Sequence, residues 1–530
     1  MVVSEVLRTE KSMVDNDRYA IGQQDFKTLR ERDALYIDKT AFVEKIVTSK
    51  SQYLFLARPR RFGKSLFLSM LQYFFEGKRE LFKGLYIDSS DWDWESYPVL
   101  HLDLNSDRYD TPDMLDEVLN TVFVQWERKY KVEVIADSYP QRFKNIVRSA
   151  HETTGKQVVI LVDEYDKPLV GNIDKEDNFE HYRAKLAGIY SIFKSSAPHI
   201  RLVFLTGVSR FSKLSVFSDL NNINDITFDD AFADICGITE KELLDNFQDG
   251  IKLLAEESRM SYQETLQKLK QNYDGYRFAR KGSDIYNPWS VLCCMQKSRI
   301  GTYWIVTGAT TVVANALKGA DIDIKQTLNA NWELDDLAGL DLMNIDPTPL
   351  LYQAGYLTID YYDFDTDTVR LKVPNEEVTK GLFKHLLPLY LKPERGTAKS
   401  ILDGIINSVK RGNPEYMMKS LSAYFAGIPY NLKMDNENNF QNALYVLMTL
   451  IGIDVKSEVC TSDGRIDLLI ETPHFIYIIE LKYDASAEEA LQQIDDKEYA
   501  LMFSSDSRKV FRIGVSFSSR KRRIESWIIQ

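Results

Sequence analysis

The sequence predicts a multidomain α/β protein, with a parallel sheet and crossover helices at the N-terminal side and a smaller α/β core at the C-terminal side. Three observations carry this expectation. The apolar run "SQYLFLA" is followed by a Gly-Lys-Ser loop and then by "SLFLSMLQYFFEG", which has helical apolar spacing. A second apolar run, "QVVILVDEYDKPL" at 157–169, ends in two acidic residues. Three strand-sized segments follow one another over 454–483, with turns at "SDG" and "TPH". At 530 residues the chain is too long for one ordinary core, and about two to four domains are expected.

Composition narrows the class. Hydrophobic residues make up 44% and charged residues 27%, the balance of a water-soluble globular protein. The apolar stretches "YLFLA", "VVILV" and "FIYII" are strand-sized, far short of the roughly 20 residues that span a bilayer, so no membrane segment is expected. The first twenty residues mix charges with isolated apolar residues and hold no continuous signal core, which points to the cytoplasm. Four cysteines without CxxC spacing fit a reduced compartment, and adjacent Cys293 and Cys294 read as helix-packing residues. The net charge of -12 argues against a surface that is basic overall. Nucleic acid would have to use a local patch, of which "SSRKRRIESW" is the densest, although such runs are ordinarily solvated faces.

The stretch "RPRRFGKS" at 58–65 has the form of a phosphate-binding loop whose first Gly is replaced by Arg58. Strand, loop and helix follow in the order a phosphate loop requires, because backbone N–H groups and a helix N-terminus then converge on an anion. In this reading Gly63 lets the backbone approach phosphate, Lys64 reaches the terminal phosphates and Ser65 ligates Mg²⁺. Asp163 and Glu164, at one strand's end, divide the remaining work. Asp163 holds Mg²⁺ through water, and Glu164 polarises the attacking water. A third strand, "RLVFLTG" at 201–207, ends in Thr206, a candidate sensor of the γ-phosphate. Arg210 in the following loop is a candidate for neutralising transition-state charge, against the blander role of a surface ion-pair partner. "PVLHLDLN" at 98–105 supplies a further strand, and a parallel sheet with crossover helices follows. The first domain is expected over 1–235.

The series "FKTLRERDALYIDKT", "RPRRFGKS", "VDEYDKPL", "TGVSRFSKLSVFSDLNNINDITF" and "YDGYRF…YNPWS" resembles the predicted AAA-ATPase-like family that is fused to a PD-(D/E)xK nuclease-like domain, mainly in bacteria. The resemblance covers nearly the whole chain. It implies a P-loop fold of the AAA-like, ASCE kind, ATP as ligand, and Arg58 as a usual feature of the family's loop. The nucleotide-binding set it suggests is Arg61, Phe62, Gly63, Lys64, Ser65, Asp163 and Thr206. From the residues alone, Arg60 and Arg61 either add charge at the nucleotide or pack outward.

From 236 to 273 the apolar period is helical, with Thr239 before a Glu-rich first turn as a cap, and a helical lid over 236–300 is the natural reading. The aromatics of "YDGYRF" and "YNPWS" read as core or interface residues, and no substrate role is assigned to them. Residues 301–395 pass from helices to a hairpin-like alternation, which a winged-helix-like module or a mixed connector fits. "LKPERGTAKS" at 391–400 is the linker candidate before a C-terminal region at 396–530.

There, "FQNALYVLMTLIG" predicts a helix, and the three strands after it carry the chemistry. Alternation puts Glu480 and Lys482 on one face of their strand, and Asp467 on the neighbouring strand can share that face. Two carboxylates and a lysine suit phosphodiester cleavage, the carboxylates holding Mg²⁺ and the lysine positioning water or stabilising charge. A buried strand ending in charged residues costs desolvation unless metal or substrate compensates. "GRIDLLI…YIIELKY" resembles the PD-(D/E)xK pattern of restriction-endonuclease-like folds, with Gly464-Arg465-Ile466-Asp467 in place of the literal Pro-Asp. The resemblance implies a nuclease-type site that also accepts Mn²⁺. Glu458 is a further metal-ligand candidate, and Gln493 and Tyr499 are candidates for contacting the nucleic-acid backbone or orienting Lys482. The expected function is an Mg²⁺-dependent ATPase with nucleotide-gated DNA cleavage, as a homo-oligomer in one form. The competing classes are a STAND-like ATP-dependent defence switch with the nuclease as triggered effector, its protein partner or trigger unidentified, and a non-catalytic nucleic-acid-binding ATPase.

Overall fold

The computed structural model describes residues 17–105, 109–133, 138–173, 175–210, 222–305, 327–328, 330–338, 347–382, 397–426, 440–441, 444, 447–448, 455–461, 464–521 and 523–530, with backbone alone for 397–403, 457–458 and 460. The linker candidate at 391–400 lies largely outside these residues. The chain forms two compact units, Met1–Ala320 with Thr327–Glu377, and Asp321–Gln326 with Val378–Gln530.

In the first unit, β1 (Tyr53–Ala57), β2 (Val99–Asp103), β3 (Val158–Asp163), β4 (Ile200–Gly207) and β5 (Asn224–Asp225) form one parallel sheet in the order β2-β3-β4-β1-β5. All residues of β1 and β3 are buried, which is why they read as continuous apolar runs instead of alternating ones. Helices Lys64–Phe75, Met114–Lys129, Tyr139–Thr154 and Glu176–Tyr190 lie in the connections between successive strands. Because β4 pairs with both β1 and β3, the loops leaving these three strands emerge side by side at their C-terminal ends, where open α/β sheets bind ligands. Gly207 closes β4 and has no room for a side chain, since a Cβ there would lie 2.6 Å from Asp166 and Tyr165.

Helices Glu240–Asn246, Gln248–Ser258, Tyr262–Tyr273 and Pro288–Lys297 belong to the same unit. Thr239 caps the first of them through a reciprocal box with Glu242, as its position predicts. Asn287 caps the last, accepting from the Ser290 amide at 3.1 Å, with Pro288 at the first helical position. Cys293 and Cys294 are buried on that helix, in packing roles. A three-stranded antiparallel sheet follows, ordered β6 (Trp332–Glu333), β8 (Thr368–Lys372), β7 (Thr358–Asp363).

The second unit holds a mixed sheet ordered β13-β12-β11-β10-β9, from β9 (Val455–Cys460), β10 (Arg465–Glu471), β11 (Phe475–Tyr483), β12 (Lys509–Ser518) and β13 (Arg523–Ile529). Strands β9 to β11 are the predicted antiparallel meander. Strand β12 runs parallel to β11, and the crossover between them contains helix Ala487–Asp496. Helices Thr397–Lys410 and Pro414–Ala426 contribute Val409, Met417, Leu421 and Phe425 to a core with Tyr477, Ile479 and Phe517 from the sheet. Ile466, Ile478 and Leu491 pack in a second cluster with Tyr499. Among the described residues no helix is long and apolar enough to cross a membrane.

Candidate functional sites

The first site is built where β1, β4 and β3 end. Gly63 has φ +97°, a backbone conformation open to glycine, and it is followed directly by helix Lys64–Phe75. Two residues with side chains take left-handed backbone in the same place, Arg61 at φ 67° and Glu164 at φ 51°. Strain of this kind concentrates at ligand sites.

Arg58, in the position of the usual first glycine, is 1% exposed and does not line the neighbouring cavity. Its Nη1 donates to the carbonyls of Ala57 at 2.9 Å and Thr227 at 2.8 Å, and its Nη2 donates to Phe232 at 3.2 Å. The guanidinium lies 4.5 Å from the centre of the Phe278 ring. The start of the loop is thereby clamped onto the segment after β5. Phe62 is also turned into the protein, its ring 4.8 Å from Tyr276 and 5.3 Å from Phe278, so the aromatics of "YDGYRF" are the seat of the loop.

Beside the loop lies a cavity of about 420 Å³, within the roughly 300–1,000 Å³ of small-molecule sites. Its lining carries four cations, Arg60, Arg61, Lys64 and Lys167, and one carboxylate, Glu164. Lys64 Nζ donates to the Arg58 carbonyl at 3.0 Å and the Pro59 carbonyl at 3.3 Å, and pairs with Glu164 Oε1 at 3.2 Å. Lys167 donates to Asn105 Oδ1 at 2.8 Å. Ser65 lines the same cavity, while Asp163 and Thr206 are buried at the ends of their strands, the Thr206 hydroxyl donating to Asp163 Oδ1 at 2.6 Å. The donor set of Ser65 and Asp163 fits an oxygen-loving cation next to the cationic cavity.

Arg210 is not brought to the cavity. It pairs with Asp225 and lies 5.3 Å from the centre of the Phe228 ring. Sequence reasoning also missed Asp166, which accepts from the Val208 amide at 3.1 Å and the Ser209 amide at 2.6 Å and so fixes the exit from β4. Burial, then the charge of Glu164, pushes its carboxyl up to about 6. Its signal was present in "VDEYDKPL", three residues after Asp163.

The second site lies on β10 and β11. Glu480 is buried at 1% exposure, and its Oε2 has no hydrogen-bond partner among the described residues. Its Oε1 accepts from the Gln493 side-chain amide, while Gln493 Oε1 accepts from Lys482 Nζ at 2.6 Å. Lys482 Nζ is 3.7 Å from Glu480 Oε1. Asp467 Oδ2 accepts from the Leu481 amide at 2.8 Å, so the two acidic positions are joined across the strand pair. Burial, then the neighbouring charge of Asp467, pushes the Glu480 carboxyl up to about 8, with Lys482 acting in the opposite direction. A buried carboxylate with an unpaired oxygen, beside a second carboxylate, fits a divalent cation. Among the described residues no group of three His, Cys, Asp or Glu side chains is arranged around one point. The side chain of Glu458 lies outside the described residues. The backbone register pairs Ile466 with Val459 and Leu468 with Ser457, which sets Glu458 across from Asp467.

Gln493 thus links the lysine to the carboxylate from helix Ala487–Asp496. Tyr499 is not on the open face. It is 1% exposed, and its hydroxyl donates to the Arg465 carbonyl at 2.8 Å and accepts from the Arg465 amide at 3.1 Å. Its hydrogen bonds hold the start of β10 and leave none for a nucleic-acid backbone.

A strand–loop–helix cavity on a parallel sheet and an Asp/Glu/Lys cluster on a mixed sheet have the forms expected of an ATPase-like unit and a nuclease-like unit. Residues 20–217 match the family described as predicted AAA-ATPase, and residues 435–527 match the PD-(D/E)XK nuclease superfamily. A protein of Azotobacter chroococcum mcd 1, described as "Uncharacterized protein in vnfD 5'region", is 32% identical over 524 residues, covering 96% of this chain and 98% of its own. The chain belongs to the predicted AAA-ATPase family that carries a C-terminal PD-(D/E)XK nuclease-superfamily domain.

Proposed function

We propose that the chain hydrolyses ATP with Mg²⁺ in its first unit and cleaves DNA with a divalent metal in its second, nucleotide state gating cleavage. The observation that carries the reading is the buried Glu480, whose Oε2, without a partner among the described residues and beside Asp467, is costly in a merely structural carboxylate and would be compensated by a metal ion. When bound, the metal supplies charge neutralisation at phosphate and a more acidic water. Asp467 and Glu480, with Glu458 as a third candidate, are the residues proposed to hold it. Lys482, oriented by Gln493, is proposed to stabilise charge on the phosphate that is cut.

In the first unit, Lys64 and the loop amides bind the phosphates, Ser65 and Asp163 hold Mg²⁺, Thr206 orients Asp163, and Glu164 positions the attacking water. Within the lid region, helix Pro288–Lys297 is the part that borders the cavity, through Pro288, Trp289 and Leu292. Arg210 would reach a nucleotide only after leaving Asp225, in this chain or towards a neighbour in a homo-oligomer. For DNA, support comes from the turn between β12 and β13, where Arg520, Lys521 and Arg523 are exposed at the sheet end to which Lys482 and Tyr483 run. The tip of the β7–β8 hairpin carries Asp363, Asp365 and Asp367 beside exposed Phe364, a charge that repels phosphate. The β7–β8 hairpin is therefore not assigned to DNA.

One observation favours a second reading, a triggered switch in the cytoplasm. Glu164 is held by Lys64 at 3.2 Å, which occupies the group needed for water activation and fits slow basal turnover. The deciding experiment is cleavage of linear, circular and single-stranded DNA in Mg²⁺ or Mn²⁺, with and without ATP, beside Lys482→Ala and Lys64→Ala. Cleavage lost in Lys482→Ala and ATP-responsive in the parent supports gating. ATP hydrolysis without cleavage under any condition moves the assignment to the switch.

A further inference from the structure

Arg61 and Trp289 form a contact that neither the phosphate-loop pattern nor the proposed chemistry uses. The Arg61 guanidinium lies 3.5 Å from the centre of the Trp289 ring, and both residues line the 420 Å³ cavity that contains Lys64. Arg61 Nη1 and Trp289 Nε1 are both buried and, among the described residues, have no hydrogen-bond partner. Among the described residues Arg61 has no ion-pair partner either, although Glu164 neutralises Lys64 in the same lining. Desolvation disfavours the Arg61 cation, with Cys293 acting in the opposite direction and the nearby charge of Arg60 adding to the cost, and among the described residues no carboxylate pairs with it. Arg61 is also held at φ 67°, outside the backbone region a side chain prefers. A strained residue, an uncompensated guanidinium and two orphaned donors in one cavity are explained together by an anion that accepts from both.

We propose that Arg61 and Trp289 form a second anion-binding element that takes the polyphosphate of a nucleotide alongside Lys64. The inference rests on the reading of the cavity as a nucleotide site, adds Trp289 to it, and gives the Arg61 side chain a stated role there. Arg61 supplies from within the loop the charge that Arg210, paired to Asp225, does not bring. Trp289 is the second residue of helix Pro288–Lys297, so the same contact joins the loop to that helix. Stacking on the ring keeps the guanidinium plane fixed while its edge stays free to donate.

The test is calorimetric titration of the full-length chain with ATP, ADP and AMP in Mg²⁺, using Arg61→Gln, Arg61→Lys, Trp289→Phe and Lys64→Ala. Loss of a charge-assisted hydrogen bond predicts ATP binding about 10- to 100-fold weaker in Arg61→Gln, with a smaller loss for ADP and none for AMP. Arg61→Lys, which keeps the charge, recovers part of the loss. Trp289→Phe keeps a ring but removes the N–H, and it weakens ATP by about 2- to 10-fold. Unchanged melting of each variant shows that folding is not the cause. Equal losses for ATP, ADP and AMP overturn the inference, because the contact is then to base or ribose. ATP binding by the parent that Lys64→Ala abolishes and Arg61→Gln leaves intact overturns it alone. A parent that binds no nucleotide removes both the inference and the reading beneath it.

Discussion

Replacing Glu480 with Gln should make the metal-free protein more stable, and the gain should depend on pH. Ordinary carboxyls of this type titrate near 4.5, and burial followed by the charge of Asp467 moves Glu480 up to about 8 in the folded chain. A raised folded-state value means that the protonated form stabilises the fold. That contribution is complete below pH 4.5 and is lost as pH rises towards 8. At about 1.4 kcal/mol per unit, the penalty at pH 7 is on the order of 3 kcal/mol relative to a neutral side chain of the same shape. Part of it is returned by Lys482, 3.7 Å away, whose charge then lacks a partner in the variant. About 2 kcal/mol is a reasonable net gain, or about 4–8 °C in the melting of a unit this size. The assay is thermal melting of the full-length protein in EDTA at pH 4.5 and pH 8, repeated with Mg²⁺ or Mn²⁺. The transition of the second unit should rise in Glu480→Gln at pH 8 and not at pH 4.5, and metal should stabilise the parent but not the variant. A variant equal to or below the parent at pH 8, or a gain of the same size at both pH values, refutes the argument, since charge would then not be the source of the strain.

Four further outcomes are expected. Arg58→Gly, which restores the usual first residue of the loop, removes three hydrogen bonds and a ring contact, and should cost about 2–4 kcal/mol in urea denaturation. Asp274, 4% exposed and pushed up to about 6 by burial with Asp284 adding to it, should make Asp274→Asn more stable by on the order of 2 kcal/mol above pH 6 and neutral below pH 4, read by denaturant melts across that range. Tyr499→Phe should lose about 1–2 kcal/mol of stability and leave DNA affinity in a filter-binding assay unaltered, because among the described residues its hydroxyl bonds only to Arg465. Trp304→Phe should leave ATP affinity within about threefold while weakening the response of DNA cleavage to ATP, which a cleavage titration measures.

What the sequence disclosed depended on whether a feature is periodic or local. Strands β1, β3 and β4 were legible because a parallel strand covered on both faces must be apolar throughout, and their ends were legible because charge stops the run. The meander β9–β11 was legible through its turns, and Glu480 with Lys482 through the two-residue period. The strand order was not, since nothing local says that β4 lies between β1 and β3. Arg58 could not be interpreted, because its partners are the carbonyls of Thr227 and Phe232, some 170 residues away, and a carbonyl acceptor leaves no mark on residue type. Tyr499 was misleading for a related reason: a helix-end tyrosine reads alike whether its hydroxyl faces solvent or the backbone of Arg465. Trp289 was passed over because an aromatic beside a turn is ordinarily core, and only the fold puts its ring under Arg61.

The arginine at the head of the loop has a consequence for how the loop can move. A glycine there would remove one of the loop's fastenings, whereas here the loop is tied to three later parts of the unit. Arg58 reaches Thr227 and Phe232, Phe62 is seated on Tyr276 and Phe278, and Trp304 Nε1 donates to the Arg60 carbonyl at 3.0 Å. Gly355 packs so closely on Pro59 that a Cβ would come within 2.7 Å. A loop fastened this way cannot shift on ligand binding without moving its fasteners, because packed interiors transmit displacement. Trp304 in turn donates its backbone amide at 2.7 Å to the buried Glu377, which also accepts from the Ser290 hydroxyl at 2.6 Å, one residue beyond Trp289. Glu377 is the last residue of the first unit. Both walls of the cavity, loop and helix, therefore converge by hydrogen bonds on Glu377, one of the residues at which the chain passes into the second unit. Trp304→Phe cuts the branch from the loop and spares the branch from the helix, which is why it separates binding from its transmission.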